Sequence, residues 1–210
     1  MPSEFALPLA FDLAATSLFA FSGALRAVKK GYDVAGLVTL ALVAGIGGGL
    51  LRDGIFLQDG PPEVLLDFRF LYAVGLAAAV GWWFGAPIEA RFRSAFLFVD
   101  ALGLGAYAVV GAQKTFDVGL SIPAAILVGT INAVGGGMLR DVMSHEEPDV
   151  FKPGGYYALA AAGGALVFCG LAVGLGADRV VAASAGIVVT FALRVLSVRL
   201  RWHTRPRTPR

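Results

Sequence analysis

The chain has 210 residues, of which 57% are hydrophobic and only 15% charged, and its mean hydropathy is +0.75. Soluble domains carry about 25% charged residues, so this composition excludes an ordinary water-facing globule. The formal charge of +2 says little because the basic residues concentrate at the C-terminus, where a basic tail after a hydrophobic helix marks a cytoplasmic end against anionic lipid more often than a nucleic-acid site. One cysteine, Cys169, excludes an intrachain disulfide or a thiolate metal cluster.

A helix needs about 20 mostly apolar residues to cross the hydrocarbon core. Seven stretches meet that demand: 7–27, 34–57, 68–88, 94–113, 118–143, 155–174 and 180–198. The first follows an N-terminus without Lys or Arg, so it reads as a retained helix and not a removed signal peptide; it carries Asp12, Thr16, Ser17, Ser22 and Arg26. The turn Lys29-Lys30-Gly31 leads to the second, which holds Gly47-Gly48-Gly49 near its middle and Arg52-Asp53 beyond. After the breaker Gln58-Asp59-Gly60-Pro61-Pro62 comes a third, apolar span. The fourth carries Asp100 and Lys114, and the fifth Thr130, Asn132, Gly135-Gly136-Gly137 and Arg140-Asp141. Cys169 sits in the sixth as a small packing residue, and the seventh leads to Arg199, Arg201, Arg205, Arg207 and Arg210. These spans predict an all-α polytopic membrane protein. Lys and Arg collect on one side of them, which places the C-terminus in the cytoplasm and the N-terminus outside.

The central motif occurs twice. Gly47-Gly48-Gly49-Leu50-Leu51-Arg52-Asp53 returns as Gly135-Gly136-Gly137-Met138-Leu139-Arg140-Asp141, an offset of 135 − 47 = 88. The same offset pairs Asp12 with Asp100, Gly23 with Gly111, Arg26 with Lys114, Gly31 with Gly119 and Gly75 with Gly163. Three spans per copy is an odd number, so the second copy must be inverted in the membrane. The expected division is 1–92 and 93–176 for the two units, 177–200 for a seventh helix that seals or oligomerises the bundle, and 201–210 for a basic cytoplasmic tail.

Two readings of the glycine triplets stand side by side: close helix packing, or a local break. Glycine costs about 1 kcal/mol against alanine in a helix interior, and backbone freed at that depth must line protein or water. A break would turn carbonyls up to Ile46 and Val134 toward a polar path where a cation is coordinated. Charges inside a span cost at least about 2.5 kcal/mol and therefore pair or face water. Inverted topology brings Asp12, Arg52, Asp53 and Lys114 to the outer side and Arg26, Asp100, Arg140 and Asp141 to the inner side. Neighbours on a helix do not face each other, so the expected pairs are Arg52–Asp12, Asp53–Lys114, Arg140–Asp100 and Asp141–Arg26, either as structural ion pairs or as the border of a conduit. Asn132, Thr130, Thr16, Ser17 and Ser22 are further candidates to line it.

The paired GGGxLRD motifs, the duplicated three-span unit and the extra C-terminal span resemble the prokaryotic members of the trimeric intracellular cation channel (TRIC) family, whose domain has also been labelled a glycine transporter. The resemblance implies a homotrimer in a bacterial inner membrane with one pore per protomer, passing monovalent cations, chiefly potassium. It also implies that the second and fifth spans kink at Gly47–Gly49 and Gly135–Gly137. The expected function is thus a cation channel, with a secondary transporter for a small zwitterion such as glycine as the alternative and a membrane scaffold as a third class. Its partners would be K+ or Na+ in transit, lipid, and two further copies, with no nucleic acid. No cofactor, resident metal or enzymatic chemistry is expected: the two histidines, His145 and His203, fall in a loop and in the tail without metal-ligand spacing.

Overall fold

The computed structural model describes residues 9–91 and 94–202. It is all helical: α1 Leu9–Lys30, α2 Val34–Leu51 continued by a π-helical segment Arg52–Leu57, α3 Glu63–Leu66, α4 Arg69–Arg91, α5 Ala95–Asp117, α6 Ile122–Met143, α7 Tyr157–Cys169 continued by a π-helical segment Gly170–Gly174, and α8 Arg179–Arg199. Seven of these are long and apolar enough to cross a membrane. Their limits follow the expected spans to within a few residues, and the short α3 is an addition inside the second connection. The arginines at 205, 207 and 210 lie outside the described residues.

Local chemistry sets the helix ends. Asp33 accepts from the Gly36 amide at 2.8 Å and caps α2, while Asp178 accepts from the amides of Val180 and Val181 and caps α8. Gly31 and Gly119, matching positions of the two copies, leave α1 and α5 with φ of 71° and 80°, where a side chain would be strained.

The two copies pack as an inverted pair. α1 packs on α2 and α4 as α5 packs on α6 and α7, and the α1–α5 and α2–α6 contacts lie across the pseudo-two-fold axis. Its signature is reciprocal. A Cβ on Gly48 would stand 2.3 Å from the Asn132 carbonyl oxygen, and one on Gly136 would stand 2.4 Å from the carbonyl of Ala44, Asn132's counterpart. Likewise Gly47 abuts Leu139 and Gly135 abuts Leu51, each at 2.7 Å. On the axis Phe19 stacks on its counterpart Tyr107, ring centroids 5.2 Å apart. Outside the duplication, α8 packs against α5 and α7, where Gly105 and Gly164 let it close on Ile187 and Thr190.

The expected break at the triplets is corrected by these contacts. α2 runs α-helical through Gly47–Gly49 and α6 through Gly135–Gly137. Each triplet is held against the other helix, and that packing outweighs glycine's weak propensity. After the first triplet the hydrogen-bond register changes to π-helical at Arg52–Leu57, whereas α6 stays α-helical through Arg140-Asp141.

Candidate functional site

Two charge clusters sit at opposite ends of the α2–α6 crossing. In the first, Lys114 Nζ lies 2.6 Å and Arg52 Nη1 3.7 Å from the same oxygen, Asp12 Oδ2. Lys114 also pairs with Glu63, which α3 brings in from the connection. Arg52 donates to Asp53 through Nε at 2.5 Å and Nη2 at 2.9 Å, and the oxygen that takes Nη2, Oδ2, also accepts from the Glu63 amide at 3.3 Å.

The second cluster repeats this with more partners. Arg140 Nη1 donates to Asp100 at 2.5 Å and to the Ser22 hydroxyl at 2.8 Å, and Nε donates to Asp141 at 3.0 Å. Arg26 lies 3.5 Å from Asp141, whose other oxygen accepts from the Asp149 amide at 3.3 Å, in the manner of Asp53 with Glu63. The guanidiniums of Arg26 and Arg140 also face the ring of Phe96, 4.6 and 4.7 Å from its centroid. Beyond the spans, the hydrogen bond from Lys30, with Arg26 nearby, holds the Glu146 carboxyl below its ordinary range. For Asp149, burial pushes the other way, but the Lys152 hydrogen bond and Arg194 outweigh it and its pKa is lowered too.

The clusters thus join Asp12 with Arg52 and Lys114, and Asp100 and Asp141 with Arg140 and Arg26. Two expectations need correction. Lys114 goes to Asp12 and Glu63 instead of Asp53. Sequence neighbours do pair, Arg52 with Asp53 and Arg140 with Asp141, because the helix rule concerns Cβ directions while a long guanidinium fork reaches sideways. Ser17 and Thr130 donate to the carbonyls of Leu13 and Ile126 on their own helices and join neither cluster. Val134 is buried in the core, and Ile46 borders a narrow space described below.

Several contributors escaped the sequence reading. Arg194 of α8 is buried; it pairs with Asp149, donates to the Gly155 carbonyl at 2.6 Å and faces the Tyr157 ring at 4.7 Å, while Tyr157 Oη stands 3.5 Å from Asp100. The seventh helix is therefore wired to the second cluster. A charge within a span was the signal that marked Asp12, and it applied equally to Arg194. Glu63, Glu146 and Asp149 lie in connections, where an acid is unremarkable by sequence.

The surroundings differ. Beside Asp12 opens a cleft of about 330 Å³ lined by Asp12, Asp53, Asp59, Glu63 and Asp117, with Lys114 the single basic residue among its described lining. A hollow of about 390 Å³ near Asp100 is bordered by Asp149, Lys152, Arg194 and Arg201. Three cations thus line it against two acids. The first mouth is acidic; the second is not.

A family model described as glycine transporter matches residues 9–86 and again 97–173. A UPF0126 membrane protein of Deinococcus radiodurans is 37% identical over 155 residues, covering 73% of this chain and 71% of the relative. The UPF0126 inner membrane protein YadS of Escherichia coli is 29% identical over 192 residues, 91% of each chain. Among solved structures, a TRIC cation channel superposes with a TM-score of 0.82 at 31% identity, over 98% of this chain and 99% of the other. The TRIC trimeric intracellular cation channel orthologue from Rhodobacter sphaeroides gives 0.83 at 33% identity, over 92% and 97%.

Proposed function

The chain belongs to the glycine transporter family and has the fold of TRIC channels, and from that premise we propose that it is a passive monovalent cation channel, permeable to potassium, with a conduit inside each protomer of a homotrimer. The observation that carries the reading is the acidic cleft at Asp12. Five carboxylates against one lysine, set between low-dielectric walls, raise the local concentration of cations and repel anions. An anionic or zwitterionic substrate held for alternating access would instead call for a mouth rich in donors.

On this reading the excess of Lys and Arg near the second cluster faces the cytoplasm and the cleft opens outside. Residues 1–92 and 93–176 are the inverted units, 177–200 adds the seventh helix, and 201–210 lies against anionic lipid. Gly47–Gly49 and Gly135–Gly137 shape the conduit by bringing α2 and α6 together. Asp12, Arg52, Asp53 and Lys114 border its outer half, and Arg26, Asp100, Arg140 and Asp141 its inner half. Charge clusters so nearly balanced bind an ion weakly enough to release it.

Purified protein in planar bilayers tests the proposal. Unitary currents that reverse at the potassium equilibrium potential under a KCl gradient are expected. Saturable glycine uptake into vesicles without unitary currents would overturn it in favour of a transporter.

A further inference from the structure

At the level of the glycine crossing, between the two clusters, the duplication is broken at the stacked rings. Phe19 and Tyr107 occupy matching positions and stack on the axis, but only Tyr107 carries an oxygen. That oxygen donates to the Gly45 carbonyl of α2 and lies 2.8 Å from Thr16 Oγ1 of α1. It ties three helices, α1, α2 and α5, at one point. Thr16's counterpart is Leu104 and Gly45's is Ala133, so the mirrored site has no such tie.

The knot stands where space runs out. Below the acidic cleft lies a hollow of about 10 Å³, room for about one water, sharing Asp12, Asp53 and Glu63 with the cleft and ending on Thr16, Ile46 and Tyr107. At the same crossing Asn132 donates Nδ2 to the Tyr107 carbonyl at 2.7 Å and is wholly buried, yet its Oδ1 has no partner. That oxygen is oriented toward Gly48, whose added Cβ would stand 3.4 Å from it. A buried amide oxygen left unpaired costs roughly 1–3 kcal/mol and serves as a ready ligand for a cation.

Resting on the conduit reading above, we propose that Tyr107 is the residue that limits permeation: its hydroxyl occupies the Gly45 carbonyl and the Thr16 hydroxyl, the oxygens a partly dehydrated cation needs in order to pass from the cleft toward Asn132. A backbone carbonyl has two lone pairs, so Gly45 keeps its place in the helix whether the second is held by Tyr107 or by an ion. Conduction requires the phenol to swing away and release α1 from α2 and α5.

The test replaces the tyrosine by what its own counterpart carries. Tyr107→Phe removes one oxygen and keeps the stacked ring, and Thr16→Val removes the second partner without touching the tyrosine. In planar bilayers with symmetric KCl, Tyr107→Phe is expected to raise open probability at least about fivefold, the equivalent of one lost hydrogen bond, and Thr16→Val to raise it less. A conducting wild type with both variants at the same open probability or lower overturns the latch and leaves the channel intact. Silence of wild type and both variants, in protein that is folded by thermal scanning in detergent, overturns conduit and latch together.

Discussion

The two charge clusters descend from the same residues, 88 positions apart, and live in different media. Arg52 and Arg140 each grip the aspartate that follows them and an aspartate on a facing helix, and each of those following aspartates accepts an amide from the next connection. Around Arg52 the chain leaves a cleft and loosens into a π-helical turn; around Arg140 it adds Phe96, Ser22 and, through Asp100 and Tyr157, the arginine of the seventh helix. Duplication copied the charges, and their surroundings decided which set is more deeply buried. Electrostatics follows, since a pair bordered by water tolerates the loss of a partner that a dry pair does not.

Arg140→Met breaks this comparison most severely. It leaves Asp100 and Asp141 buried beside an apolar chain, and a loss of about 3–5 kcal/mol is expected, read as a large fall in the unfolding midpoint in detergent. Arg52→Met is expected to cost less than half of that, because Asp12 and Asp53 line the open cleft; equal losses would show that the clusters are equally shielded. Next come Gly48→Ala and Gly136→Ala, whose new methyls would meet carbonyl oxygens at 2.3 and 2.4 Å. Each is expected to cost about 1–3 kcal/mol, and the two values should agree within error, since the contact is reciprocal. Phe96→Leu removes a ring shared by two guanidiniums and is expected to cost about 1 kcal/mol, a loss confined to the Asp100 end.

The smallest effect is in pH. Glu146 and Asp149 have folded pKa values below their ordinary ones, so their stabilisation is present above the unfolded values, about 4, and fades as pH falls through the folded ones. Unfolding temperature should therefore drop below about pH 4, and the slope should flatten in the double variant Glu146→Gln, Asp149→Asn. An unchanged slope would show that these two carboxylates do not carry the acid sensitivity.

Much of this was legible before any coordinates. Span lengths and the 88-residue offset required seven helices and an inverted pair, because hydrophobic length and odd span number are properties a sequence states directly. The grouping of Asp12 with Arg52 and Lys114, and of Asp100 with Arg140 and Arg26, followed from depth alone. What stayed hidden depends on side-chain reach and on irregular backbone. Arg52 turning to Asp53 is a matter of a flexible fork, and Glu63 enters through a four-residue helix between Pro62 and Asp67 that no periodicity marks. Nothing in an apolar span singles out Tyr107 except its 88-residue offset from Phe19, which carries no hydroxyl.

The reciprocal seating of Gly48 and Gly136 bears on ancestry. Each triplet finds its mate in the opposite copy, so a solitary three-helix unit would leave that notch unfilled unless it met a twin inserted upside down. An ancestor of this kind would have had to enter the bilayer in both directions and dimerise there. Fusion would then fix one copy each way up and relieve both of the need to be orientation-neutral, leaving positions such as Phe19 and Tyr107 free to differ.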